Sequence, residues 1–174
     1  MKLLAGLSLF LALTVGAFAD TVVDTQNGFT LTPADGWVKR DRNPNMPYAA
    51  LTLQTGEESI DERGLFYVDI FDQDAGAPTL DAYVTRMKNY ITNQMGGQVL
   101  TETQATVNDL PAVKLTYTGV AKEYTNRNDK YMRLIVRGQN GKFYILHGVA
   151  QRDHFGAHEG AMEKMASSFH LGTP

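Results

Sequence analysis

The sequence predicts an α+β fold, a central antiparallel β-sheet packed by helices. Short apolar runs with a two-residue period recur along most of the chain, separated by Asn-Gly and Gly/Pro turns. Only two stretches change to a helical period. The strand-like runs follow one another directly, which favours hairpins over the helix crossovers that parallel pairing requires.

The chain opens on a segment of a different kind. Lys2 is the only charge before Asp20, Leu3 to Phe18 is almost wholly apolar, and Ala17-Phe18-Ala19 places small residues where a signal peptidase reads. Residues 1–19 are therefore expected to be a cleavable secretory signal peptide, and 20–174 the working domain, exported to the periplasm or secreted. The apolar run is short for a membrane helix, and no basic stop-transfer run follows it. The chain has no cysteine, which excludes a lipid-anchored lipoprotein, a disulfide framework and a thiolate metal site. The whole chain carries a formal charge of −3, and losing Lys2 makes it more acidic. That balance argues against nucleic acid as a partner.

Along the expected domain, Thr21 to Thr25 and Phe29 to Thr32 flank Asn27-Gly28, a tight-hairpin signal. Trp37 to Pro47 is basic and proline-punctuated, as a loop would be. Ala49, Leu51 and Leu53 alternate with more polar neighbours. Leu65 to Phe71 is apolar on both alternating faces, a strand covered on both sides. Leu80, Tyr83, Val84, Met87, Tyr90 and Ile91 then form one helical stripe, with Thr79 as N-cap and Gly96-Gly97 as terminator. Gln98 to Val107 and the run through Val113, Leu115 and Tyr117 are strands about a turn at Asn108 to Pro111. Glu123 to Asp129 reads as a polar loop.

Tyr131 to Arg137 and Phe143 to Ala150 form a further hairpin. With Asn140-Gly141 as a two-residue turn, Leu134 faces His147 and Met132 faces Val149. A second helix, capped by Asp153, carries Phe155, His158, Met162, Met165 and Phe169 along one side.

Several stretches resemble the PsbP-like family, which includes bacterial periplasmic proteins. They are Asn27-Gly-Phe-Thr-Leu-Thr-Pro33 through Gly36-Trp37, Asp109-Leu-Pro-Ala-Val-Lys-Leu-Thr-Tyr117, the hairpin over 131–150, and Met165-Ala-Ser-Ser-Phe169. The resemblance implies an α/β/α sandwich and an accessory or binding role, with an envelope protein or small ligand as partner. It carries over no functional residue.

Candidate chemistry is sparse. His154 and His158 stand four apart, a spacing that can share a metal, but the glutamate of an H-E-x-x-H site is misplaced. With His147 they define one alternative, a metal-dependent hydrolase. His147 alone, among apolar neighbours, reads as a core histidine or a general base of shifted pKa. Asp69, Asp72 and Asp74 are a weak calcium grouping without the glycine and distal glutamate of an EF-hand. Tyr67, Tyr117, Tyr131 and Tyr144 with Arg133 and Arg137 form either a groove or the cover under a helix. Trp37, Lys39, Arg40 and Arg42 are the candidate partner surface, against the simpler reading of a tryptophan pinned to the core.

Serines remain only at Ser59, Ser167 and Ser168 after residue 19, and no G-x-S-x-G, P-loop or dinucleotide fingerprint occurs. The reading is a non-catalytic exported binding or accessory protein without a cofactor, the hydrolase and a small-molecule or lipid carrier being its alternatives.

Overall fold

The computed structural model describes residues 20–41, 48–121 and 127–172. The expected signal peptide and Arg42 lie outside the described residues. The strands are β1 (Val22–Asp24), β2 (Phe29–Leu31), β3 (Trp37–Lys39), β4 (Ala49–Thr55), β5 (Leu65–Asp72), β6 (Gln98–Val107), β7 (Leu110–Ala121), β8 (Arg127–Arg137), β9 (Lys142–Gln151) and β10 (His170–Leu171). Helix α1 (Leu80–Asn93) lies between β5 and β6, and α2 (Phe155–Ser167) between β9 and β10.

Seven strands form one antiparallel sheet in the order β3-β4-β5-β9-β8-β7-β6, and β1-β2-β10 form a small second sheet. Most neighbouring strands also follow one another in sequence, so the pairing is largely local. The β5–β9 pair is the exception. After β5 the chain crosses one face of the sheet as α1 and re-enters at the far edge as β6.

Alternation along the strands splits the core in two. Leu115, Tyr117, Tyr131, Ile135, Ile145 and Val149 pack with Leu80, Tyr83, Val84 and Ile91 of α1. On the other face Leu51, Leu53, Phe66, Val68, Leu134 and Leu146 pack with Phe155, Met162 and Met165 of α2. The fold is therefore α+β with a helix on each face, as expected. At the α2 contact a Cβ on Gly148 would stand 2.5 Å from Met162 Sδ, so only glycine lets the helix sit this close.

Local signals hold in α1. Thr79 accepts from Ala82 N–H at 3.2 Å, Gly97 N–H returns to Ile91 O at 2.9 Å, and Gly96 takes φ +59°. At α2 the expectation fails, because His154 holds the N-cap position and makes no side-chain cap bond, leaving Asp153 outside. The first hairpin also differs. Asp24 pairs with Phe29 across four loop residues, and Asp24 accepts from Asn27 N–H and Nδ2 at 2.9 and 2.8 Å. Trp37 to Lys39, expected in a loop, is edge strand β3, and residues 127–129 lengthen β8.

The largest correction is one of register. Gly138 N–H donates to Lys142 O at 2.8 Å, so Gln139, Asn140 and Gly141 form a three-residue loop, with Gly141 at φ +73°. Arg133, not Leu134, then pairs with His147. One residue of slip moves a side chain to the opposite face.

Candidate functional site

The corrected register places three ionisable side chains in one line beneath α1. Arg133 on β8, His147 on β9 and Tyr67 on β5 occupy one cross-strand row, and Asp69 stands in the next row. Arg133 Nε–H donates to His147 Nδ1 at 3.1 Å. On the other side of the ring, Nε2 lies 3.1 Å from Asp69 Oδ2. That contact is close but not aligned as a hydrogen bond, so it is chiefly electrostatic.

Aromatic rings close round this line. Tyr67 stacks on His147 with centroids 4.2 Å apart, and the Arg133 guanidinium lies 5.3 Å from the Tyr117 ring centroid. Tyr117 in turn stacks on Tyr131. Met87 Sδ of α1 meets Arg133 Nη1. Arg133 and His147 are buried, whereas the Asp69 side chain keeps 16% of its surface exposed.

The electrostatics follow from that burial. A guanidinium only donates, so Nδ1 of His147 must offer its lone pair, and a neutral ring carries its proton on Nε2 towards Asp69. Burial first, and the Arg133 charge second, push the His147 pKa down to about 4, against a smaller opposing pull from Asp69. Burial also pushes Tyr117 up to about 12 and raises Tyr67. At neutral pH the imidazole is therefore neutral beside the guanidinium, and Tyr67 and Tyr117 are protonated phenols. The histidine has no lone pair free to accept a substrate proton. The arrangement ties three strands together and leaves one carboxylate at the rim.

The hydrolase constellation does not assemble. His147 faces α1, while His158 sits on α2 across the sheet, where its Nε2–H donates to Glu62 O at 2.6 Å and its ring meets Trp37 edge-on. The sheet itself separates them. His154 stands at the start of α2. Among the described residues no three His, Asp or Glu side chains group as metal ligands. The calcium grouping disperses too. Asp69 turns to His147, Asp74 accepts from Arg86, Gly76 N–H and Ala77 N–H, and Asp72 is solvent-exposed.

Of the tyrosine set, Tyr67, Tyr117 and Tyr131 share the α1 face with Arg133. Tyr144 faces the other core and donates to Asn27 O at 3.1 Å. Trp37 is buried, so close to Gly64 that a Cβ there would stand 2.7 Å from the indole. Lys39 and Arg40 are exposed beside it. Counting residues outward from the turn would have joined Arg133 to His147 once the loop length was right. Asp69 carried no local sign of its partner.

Together the fold and this closed polar line describe an α+β scaffold with organised buried charge and open sheet edges. Solved structures share the fold. Cyanobacterial PsbP (CyanoP) from Synechocystis sp. PCC 6803 aligns with a TM-score of 0.62 at 15% identity, covering 98% of both chains. LpqN, involved in cell envelope biogenesis of Mycobacterium tuberculosis, aligns at 0.64 with 15% identity over 89% of this chain and 90% of its own. The Saccharomyces cerevisiae Ran-binding protein Mog1p aligns at 0.60 with 11% identity over 87% and 94%. At these identities the likeness is one of fold, PsbP- and Mog1-like. The sequence matches no family model and no curated protein. Among the described residues no helix is long and apolar enough to cross a membrane.

Proposed function

We propose that the chain is exported and acts as a non-catalytic binding or accessory protein, meeting a partner through the β3 end of its sheet. The observation that carries this reading is the surface around β3. Val38 and Val23 are 46% and 48% exposed, and Lys39 and Arg40 project from the same edge. A groove of about 300 Å³ opens between the β1 hairpin and β4, lined by Val22, Asp24, Gln26, Lys39 and Leu51 among others.

Apolar side chains rimmed by cations suit an acidic protein surface. Trp37 supports this edge from beneath and is not itself the contact. The groove's mixed polar lining suits a peptide better than a lipid. The similarity in fold to envelope and Ran-binding proteins agrees with a binding role. The test is capture of complexes from the native envelope with the wild type and with Lys39→Glu/Arg40→Glu. Loss of a complex in the charge-reversed protein, which should fold normally, supports the reading. A complex retained unchanged removes this surface, and a reporter fused to residues 1–19 that stays in the cytoplasm removes export.

A further inference from the structure

The opposite edge of the sheet supports a separate interaction. Among the described residues, strand β6 ends the sheet with only β7 beside it. Asn108 and Asp109 both take positive φ, 49° and 63°, so Val107 and Leu110 flank a two-residue turn and exchange both backbone hydrogen bonds. Counting back, Ala105, Thr103 and Thr101 turn their N–H and C=O groups towards β7. Thr106, Gln104 and Glu102 turn theirs to the open edge. Pro111, opposite Thr106, fits this parity, because its missing N–H would point away from β6.

Edge strands are usually protected by shortness, lysine, proline or a covering element. This strand is ten residues long and contains neither lysine nor proline. Its one charge, Glu102, is already paired with Lys88 Nζ at 2.7 Å. Thr101, Glu102, Thr103, Gln104 and Thr106 are all exposed. The bulge between Val99 and Thr101 leaves the run from Thr101 to Val107 regular.

We propose that β6 pairs antiparallel with β6 of a second copy of this chain about a two-fold axis, continuing the sheet across both molecules. An unpaired backbone edge selects a strand as its occupant. Self-pairing also requires a pattern that tolerates its own inversion, and this one does. With the axis at Gln104, Gln104 meets Gln104 of the second copy, and Glu102 meets Thr106, so the strand's single charge faces no like charge. Thr101 and Thr103 stand at two of the remaining positions and fit a pleated surface.

Sedimentation velocity over a roughly hundredfold concentration range tests this. The wild type should rise from monomer to dimer mass. Gln104→Pro removes an outward N–H and none from the β6–β7 ladder, so it should remain monomeric with a nearly unchanged urea midpoint. Gln104→Lys sets two cations together at the axis and should weaken the dimer at least tenfold at low salt, partly recovering as salt screens them. A wild type that stays monomeric throughout overturns the proposal, as does Gln104→Lys associating as tightly as wild type. The lysine variant keeps the test decisive if the proline variant fails to fold.

Discussion

Replacing His147 with glutamine should change how stability responds to acid far more than stability at neutral pH. In the unfolded chain His147 titrates near 6.5, and in the fold near 4. Between those values the unfolded state holds the extra proton, so folding stability rises with pH there and is lost as pH falls. Above about pH 7 the contribution is complete, and below about pH 4 it is gone. The whole difference corresponds to about 3 kcal/mol, of which roughly half is lost by pH 5.5 and most by pH 4.5. The ring is almost wholly buried, so little of this is screened by solvent.

The assay is urea unfolding of wild type and His147→Gln at half-unit steps from pH 7.5 to 4.5. The other histidines and all carboxylates are common to both proteins, so the difference between the two stability curves isolates this ring. That difference should fall by roughly 2 to 3 kcal/mol on going from pH 7.5 to 4.5. Two parallel curves would refute the buried neutral imidazole, and with it the assignment of Nδ1 as acceptor from Arg133.

Three further substitutions probe the packing. Gly97→Ala should cost about 3 kcal/mol in denaturant unfolding, because its Cβ would stand 2.0 Å from the Thr118 carbonyl oxygen, a backbone atom that cannot rotate away. Trp37→Ala should lower stability by about 4 kcal/mol by leaving a cavity against Gly64 and His158, and thermal melting would reveal a surface-like tolerance if the indole were not core. Tyr144→Phe should cost about 1 kcal/mol, since the hydroxyl donates to Asn27 O and accepts from Asn140 Nδ2 at 2.8 Å; an unchanged urea midpoint would show that these bonds add nothing net.

Much of the fold was legible because its causes are local. The stripe from Leu80 to Ile91, the Thr79 cap and the Gly96-Gly97 terminator are interactions within a few residues; the cap and terminator are present as read, and of the stripe Leu80, Tyr83, Val84 and Ile91 are buried while Tyr90 is 49% exposed. The alternating runs identified the longer strands, and their hairpin order identified the antiparallel sheet. Two short strands without a flanking Asn-Gly signal escaped. Trp37 to Lys39 and His170 to Leu171 are too brief to show a period and exist because a neighbouring strand pairs with them.

The candidate site depended on quantities no local pattern encodes. Asn140-Gly141 is compatible with loops of two or three residues, and only the burial of both sheet faces selects the longer one. That choice turns His147 away from Leu134 and towards Arg133. Asp69 reaches His147 because β5 and β9, distant in sequence, lie side by side. Sequence alone determined the class of fold, the elements and the residue types available for chemistry, through short-range periodicity and turn chemistry. Tertiary structure decided which charges meet, which histidines are kept apart by the sheet, and which edges stay open, because register and strand order are fixed by burying two apolar faces at once.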